Sequence, residues 1–204
     1  MDNAGTALSG PDRGSYGAAM ERAGPAAGMW AARTVAALVL MDLPERWRHT
    51  VGVVRRAGEL AATVSHTDRP VLLAAAWLHD IGYGTAAYET GFHPLDGARY
   101  LDRDGWPARI TGLVAHHSGA DFVARRRGLA DELGRYVEEV SAVADALTYA
   151  DQTIGPRGDP VTIQARLAEA LTRHGPDSDQ AGVDTARRSY LLAVAARVEA
   201  RLRQ

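Results

Sequence analysis

The chain has 204 residues, of which 46% are hydrophobic, with a formal net charge of -2 at pH 7 and no cysteine. This length suits one domain with a sizeable core, and the balanced charge provides no overall basic field for nucleic acid or anionic membranes. The lack of cysteine excludes disulfides, thiolate ligands and cysteine nucleophiles, so a metal site could use only His, Asp and Glu. We therefore expect chemistry on a small molecule.

The N-terminal region differs in composition from the rest of the chain. Residues 1–24 are rich in Gly, Ala, Pro, Ser and Asp without an apolar period, which predicts a flexible N-terminal arm. Helical patterns begin at about residue 25, so residues 25–204 form the predicted folded domain. Because the early apolar run over 35–41 is too short to span a bilayer and no signal peptide is predicted, we expect a cytoplasmic protein.

The first candidate ligand lies on a predicted helix that begins near Asp42 and Pro44 and extends to about residue 64. His49 falls on the apolar stripe of this helix, together with Val53, so its side chain points toward the core. A single histidine in such a place is more often a hydrogen-bonded core residue than a metal ligand. His49 is therefore a candidate only in combination with others.

The most informative stretch is the apolar run over residues 71–78 and the residues that follow it. A helix that is apolar all round is normally buried, so His79 and Asp80 are carried into the interior. Gly82 suits the left-handed position after a helix end, where the helix dipole favours a cation. A buried carboxylate must be paired or bound to metal, and the dipeptide alone favours a His–Asp hydrogen bond without metal.

Three further histidines follow. His93 precedes a helical proline, and by itself it is typical of a helix cap or a surface loop. The next predicted helix ends at His116 and His117, and Gly119 closes it. His117 continues the apolar stripe whereas His116 lies slightly aside, and the pattern leaves open which of the two is a ligand.

The second half of the chain supplies arginines and acids. Arg125 and Arg126 belong to a charged run, which is typical of a solvated face, with phosphate binding as the alternative. A helix is then predicted from about 135 to 154. Its helical wheel places Asp151 on the apolar stripe and Asp145 on a different face.

The predicted fold is all-α, a helical bundle with a ligand-bearing core over residues 44–157 and C-terminal helices over 161–204. Six candidate ligands come from five successive elements, and at least four of them lie on inward faces, which favours one shared site over a separate structural explanation for each: His49, His79, Asp80, His93, His117 and Asp151. Imidazole and carboxylate ligands suit Fe, Mn, Co, Ni or Zn, and the set exceeds the needs of one tetrahedral ion. We expect one or two divalent transition-metal ions.

The order His, then His-Asp, then Asp, all within helices, resembles the HD superfamily of metal-dependent phosphohydrolases. The resemblance rests on the His49 helix, LHDIG at 78–82, HPLDGA at 93–98, the His116–His117 pair, and YAD at 149–151 followed by Arg157. It implies that Asp80 bridges two ions, one held with His49, His79 and Asp151 and the other with His93 and His116 or His117. The extra histidines are similar to those of the two-metal branch.

Two departures limit the resemblance to the cyclic-dinucleotide phosphodiesterases of that branch. Tyr83 stands where many family members carry Lys, and no GYP sequence follows His117. The two-metal branch also includes bacterial dinucleoside-polyphosphate hydrolases. The substrate class therefore stays open within the superfamily.

The resemblance implies hydrolysis of a phosphorylated small molecule, with a nucleotide as the favoured class, by attack of a metal-bound water or hydroxide on phosphorus. His79 and Asp80 are then the central catalytic pair, and Arg157, Arg125 and Arg126 are candidates for binding the substrate phosphate. The same ligand set also serves di-iron oxygenases with a similar scaffold, and a metal-free binding module is a third hypothesis. We expect no nucleic-acid or membrane partner, and the sequence does not indicate the oligomeric state.

Overall fold

The computed structural model describes residues 28–175 and 178–204. Within these ranges the protein is all-α, which confirms the predicted fold class, and extended residues pair there only in an isolated bridge between Ile154 and Pro160. The predicted flexible arm, residues 1–24, lies outside the described residues. In chain order the helices are α1 (28–39), α2 (Pro44–Glu59), α3 (Arg69–Leu78), α4 (His93–Arg103), α5 (Ala108–His116), α6 (Ala120–Arg126), α7 (Ala130–Leu133), α8 (Ala142–Gln152), α9 (Ile163–His174), α10 (Asp179–Gly182) and α11 (Asp184–Leu202).

Helix α3 is the central element of the bundle. It begins with Pro70 in its first turn, where a missing N–H has no cost, and its side chains from Ala74 to Leu78 are buried. It packs against α2, α5 and α8, and its small alanines allow these helices to approach closely. The prediction of a buried helix is confirmed, and α3 ends in the interior at His79 and Asp80.

The turn that follows α3 brings α4 against it. The sequence predicts a left-handed conformation for Gly82, and this prediction is wrong. Gly82 lies in a 3-10 turn over Ile81–Tyr83. Its role is close packing instead, because a Cβ atom there would overlap the His93 carbonyl oxygen and lie 2.7 Å from the Gly97 nitrogen. The absence of a side chain thus lets the first residue of α4, His93, approach Asp80.

Helix α8 starts seven residues later than the predicted position of about 135. The Ser141 side chain caps it by accepting hydrogen bonds from the backbone N–H groups of Val143 and Ala144. Val137 and Val140 precede this cap, lie outside the helix and are 78% and 94% exposed. Their apolar spacing suggested a longer helix, but neither side chain is buried. The shorter helix still presents Asp151 toward α3 from its last turn.

The opposite face of α8 is covered by α11. Asp145 lies on this face, apart from Asp151 as the helical wheel predicts, but it is only 7% exposed. Its carboxylate accepts hydrogen bonds from Arg197 and Arg201 of α11. Both faces of α8 therefore carry a buried carboxylate, and only one of them faces the histidines.

Candidate metal centre

Two groups of potential metal ligands lie next to each other in the interior. The ligand atoms of each group lie within 4.8 Å of one another, and the groups are His49, His79 and Asp151, and Asp80, His93 and His117. They come from α2, the end of α3, the start of α4, the end of α5 and the end of α8. The structure thus brings together six of the seven predicted ligands.

Asp80 lies between the two groups and faces each with a different oxygen. Its Oδ2 atom is 3.5 Å from Nε2 of His79 and 3.8 Å from Nε2 of His49. Its Oδ1 atom is 3.5 Å from Nε2 of His93. This is the placement that a carboxylate needs to bridge two cations, each with its own imidazoles.

Three of the imidazoles have their tautomer fixed by the backbone. In each ring Nδ1 lies within hydrogen-bond distance of a carbonyl oxygen, which can only accept, so Nδ1 carries the proton. The pairs are His49 with Gly155 at 3.1 Å, His79 with Ala76 at 2.9 Å, and His117 with Val114 at 2.7 Å. Each neutral ring therefore directs an Nε2 lone pair into the centre, which is the arrangement of metal-binding histidines.

The Nε2 atoms face groups that cannot satisfy them without a cation. That of His79 is buried and has no hydrogen-bond partner. That of His117 lies 3.3 Å from Nε2 of His93, and that of His49 lies 2.9 Å from Oδ1 of Asp151. Lone pairs in such contacts repel unless a proton or a metal ion lies among them, so the donor set fits a divalent ion.

The pKa values of the centre favour the protonation states that metal ligands need. Burial alone would raise the pKa of Asp80, but its electrostatic interactions with the His79 imidazole and the Arg46 guanidinium keep it well below its ordinary value. Burial would likewise raise the pKa of Asp151, but the interaction of its carboxylate with the His49 imidazole lowers it. Burial also lowers the pKa of His93 and His117. The carboxylates are thus ionised and these imidazoles neutral.

Ser118 supports the centre from behind, and the sequence did not single it out. It is buried and has a left-handed backbone with φ of 55°, which is strained for a residue with a side chain. Its hydroxyl donates to Oδ2 of Asp151, which also accepts from Gln152 at 2.8 Å. Its N–H donates to the hydroxyl of Thr148, and its carbonyl accepts from Nε of Arg187 at 2.9 Å. The only signal in the sequence is its place between His117 and Gly119.

His116 is separated from this centre. Its Nδ1 lies 2.9 Å from a carboxylate oxygen of Asp121, and its Nε2 lies 2.8 Å from the backbone oxygen of Tyr136. Both partners accept, so both nitrogens carry protons and no lone pair remains for a metal. Burial would lower the pKa of His116, but these two hydrogen bonds raise it. Of the two adjacent histidines, the structure brings only His117 to Asp80.

The arginines that the sequence indicates as phosphate-binding residues lie elsewhere. Arg125 and Arg126 are exposed on α6, a helix where the sequence suggested only a polar segment, and Nε of Arg126 lies 3.2 Å from Asp179. The Arg157 side chain is 85% exposed and lies 3.9 Å from Asp159. None of the three lines the pocket above Asp80. A charged run in a sequence does not reveal which way its side chains point.

The pocket contains three other arginines. It has a volume of about 70 Å³, and its charged or aromatic lining includes Arg46, Tyr83, Arg166 and Arg187. Nη1 of Arg46 lies 3.2 Å from Oδ2 of Asp80, and its guanidinium lies over the Tyr83 ring at 4.2 Å. Arg46 precedes His49 by three residues, so its helical position offered a signal. Arg166 and Arg187 offered none, since they resemble surface arginines of amphipathic helices.

Comparison with known protein families gives a match, and its range contains all six residues of the candidate metal centre. The HD domain family matches residues 46–154, just over half of the chain, whereas no curated protein and no solved structure matches. No helix among the described residues is long and apolar enough to cross a membrane. With His49, the His79–Asp80 pair and Asp151 in the order and arrangement described above, the chain belongs to the HD-domain family, within the superfamily of metal-dependent phosphohydrolases.

Proposed function

We propose that the protein hydrolyses a phosphate ester of a small molecule with two divalent metal ions. His49, His79 and Asp151 would hold the first ion, His93 and His117 would hold the second, and Asp80 would contact both. The observation that carries this proposal is the position of Asp80, whose two oxygens face separate imidazoles, Oδ2 the buried His79 and Oδ1 the half-buried His93. Without thiolate ligands, Fe, Mn, Co, Ni and Zn are the candidate metals.

When bound, divalent ions at such a centre act as Lewis acids, which lower the pKa of water and neutralise phosphoryl oxygens. The residues of this chain supply the rest. Backbone carbonyls hold the imidazoles with Nε2 directed inward, and Ser118 and Gln152 fix the Asp151 carboxylate. Arg46 keeps a guanidinium beside Asp80, where it can donate to an oxygen of the reacting phosphate group.

The size of the pocket bears on the substrate. A volume of about 70 Å³ is several times the ~10–15 Å³ that one water requires, which suits a phosphate group with bound water. A base or a sugar would extend from the mouth of this pocket. Nucleotides are the substrates we propose to test first, both as monoesters and as diesters.

The adjacent histidines allow a matched test of the metal centre. We expect His117→Gln to lose about one equivalent of metal per chain and at least about 100-fold in kcat/KM, because it removes a ligand. His116→Gln should keep the metal content and the kcat/KM of the unchanged protein, because His116 lies outside the centre. Metal content by mass spectrometry and hydrolysis of aryl phosphates and nucleotides with Mn²⁺ are the measurements.

Three outcomes would contradict the proposal. Equal metal content and equal activity in the two variants would remove the centre from the reaction. Iron in the purified protein with substrate-dependent consumption of dioxygen, and without phosphate release, would favour the oxygenase. A protein without stoichiometric metal after metal-replete expression would favour a binding module.

A further inference from the structure

Two arginines reach the pocket from the C-terminal helices. Arg166 belongs to α9 and Arg187 to α11, and both line the same pocket as Asp80 and Arg46. Both lie beyond residue 154, where the match to the HD domain family ends. They are therefore features of this chain outside the matched region, added to the wall of the candidate centre.

Arg166 is almost completely buried and is only partly satisfied. Its residue is 6% exposed, its Nη1 donates to Glu169, and its Nε is buried without a hydrogen-bond partner. A buried guanidinium with an unused donor is unfavourable unless an acceptor arrives. Because Arg166 lines the pocket, a ligand in the pocket can supply that acceptor.

Arg187 forms no ion pair with a carboxylate among the described residues. Its Nε donates to the backbone oxygen of Ser118 at 2.9 Å, and no carboxylate oxygen in the described part of the chain lies within 4 Å of its guanidinium nitrogens. Burial lowers the pKa of Arg187, the charge of Asp151 raises it, and the nearby Arg166 lowers it. Two like charges thus line the same pocket.

The arginines of the pocket lie at two different places. Arg46 contacts Asp80, whereas Arg187 contacts Ser118, which in turn bonds to Asp151. The carboxylates of the pocket lining, Asp80 and Asp151, both face imidazoles. Any metal ion that they hold increases the excess of positive charge, so the pocket favours a ligand with more than one negative group.

We propose that Arg166 and Arg187 form a second anion subsite, which binds a second phosphate group of the substrate. The substrate class is then a small molecule with two phosphates, either adjacent, as in a nucleoside diphosphate, or separate, as in a bisphosphate. The guanidinium fork matches the oxygens of phosphate and supports this class. The inference rests on the proposed function for the reaction at the first phosphate, near Asp80.

Calorimetric binding of inorganic pyrophosphate and inorganic phosphate to the full-length, Mn²⁺-loaded protein tests the subsite without turnover. We expect pyrophosphate to bind more tightly than phosphate, and Arg187→Gln to weaken pyrophosphate about 10- to 100-fold, the range for hydrogen bonds to a charged group. Arg188→Gln is the matched control, because its guanidinium pairs with Asp184 and does not line the pocket. It should bind both anions as the unchanged protein does.

Two further variants separate loss of the subsite from loss of the fold. Arg166→Gln changes a buried side chain, so its helix content and melting temperature are measured first. Arg187→Lys keeps the charge without the planar fork and should recover part of the pyrophosphate affinity. In kinetics, the ratio of kcat/KM for a nucleoside diphosphate to that for a monophosphate should fall about tenfold in Arg187→Gln. Bisphosphates with separate phosphate groups are assayed beside the nucleoside diphosphate. This comparison shows whether the two phosphates of the substrate are adjacent or separate.

Different results would contradict the second anion subsite and the proposed hydrolysis. Equal affinity for phosphate, pyrophosphate and a bisphosphate with separate groups, or unchanged affinity for both of the latter in Arg187→Gln, overturns the second subsite, whatever the activity. A preference for pyrophosphate that depends on Arg187, without hydrolysis of any phosphate ester, supports the subsite and counts against hydrolysis. Hydrolysis of monophosphates, diphosphates and bisphosphates at the same kcat/KM overturns the subsite alone.

Discussion

His79 and His117 share one local arrangement at the ends of different helices. Each is the residue at which its helix ends, α3 or α5, and each donates Nδ1–H to the carbonyl three residues earlier. Carbonyls in the last turn lack helical partners, so the imidazole satisfies one of them and is oriented by it. The same contact leaves Nε2 free for a metal.

Ser118 yields a prediction that separates its backbone from its hydroxyl. Ser118→Ala and Ser118→Gly both remove the hydrogen bond to Asp151, so metal affinity should fall about 10- to 100-fold in both. Only glycine relieves the positive φ, so Ser118→Gly should be about 1 kcal/mol more stable than Ser118→Ala. Metal titration and urea unfolding measure the two effects.

The two readouts can contradict this account separately. Full metal affinity in both variants would mean that the hydroxyl does not position Asp151. Equal stability of the variants would mean that the left-handed backbone carries no strain. Ser189→Ala is a control for loss of a hydroxyl, because Ser189 is exposed on α11 and bonds only to the backbone of its own helix.

At the scale of elements, the contact of α4 with the turn after α3 depends on Gly82. Gly82→Ala should lower the free energy of unfolding by about 3 kcal/mol or more, because the added methyl meets backbone atoms that cannot turn aside. Gly58→Ala is the matched control, since a Cβ atom at this exposed position of α2 has open space. It should raise stability by about 0.5–1 kcal/mol through helix propensity. Urea unfolding that shows equal stability for the two variants would refute the packing role.

The contact of α11 with α8 predicts a response to acid. Burial would raise the pKa of Asp145, but the hydrogen bonds from Arg197 and Arg201 lower it. The folded-state pKa therefore lies below the unfolded one, so the contribution to stability is complete above about pH 4 and is lost as the pH falls further. Asp145→Asn should cost about 1–2 kcal/mol at pH 7, a value reduced for the partly exposed arginines.

Unfolding in urea at pH 7 and at successively lower pH checks the sign of this effect. The difference in stability between the unchanged protein and Asp145→Asn should narrow as the pH falls below about 4. Asp159→Asn is the control, since its side chain is 74% exposed and lies 3.9 Å from Arg157. A difference that widens in acid would show that the Asp145 carboxylate does not gain stability from α11.

At the scale of the whole molecule, the candidate centre joins residues of five helices, the first and last of which are far apart in sequence. His49 and Asp151 are separated by 102 positions, yet their side chains lie 2.9 Å apart. The unfolded chain cannot form such a site, so metal binding adds to the stability of the fold. At 100 times the dissociation constant the gain is about 2.7 kcal/mol, and removal of metal by a chelator should lower Tm by about 5–10 °C.

Calorimetry with and without chelator measures this shift, and the His79→Ala variant is its control. We expect a smaller shift in Tm for the variant, because it lacks a ligand of the first ion. An identical Tm for the unchanged protein with and without metal would contradict the metal centre. A shift of equal size in the variant would indicate binding elsewhere on the protein.

The sequence by itself determined the features that depend on local pattern. The apolar run of α3 predicts burial, and its end fixes His79 and Asp80 as interior residues. The period of α2 places His49 on the same inward side, and the wheel of α8 separates Asp151 from Asp145. These inferences succeed because helical period and burial are properties of neighbouring residues in the chain.

Only the tertiary structure decided which polar side chains converge. His116 and His117 are adjacent in sequence, but the imidazole of His116 contacts Asp121 and Tyr136, whereas that of His117 contacts His79 and His93. Arg166 and Arg187 enter the pocket because α9 and α11 pack over it, whereas Arg157 remains exposed. An arginine side chain is long and suits both water and a pocket, so its destination depends on helix packing, which local pattern does not encode.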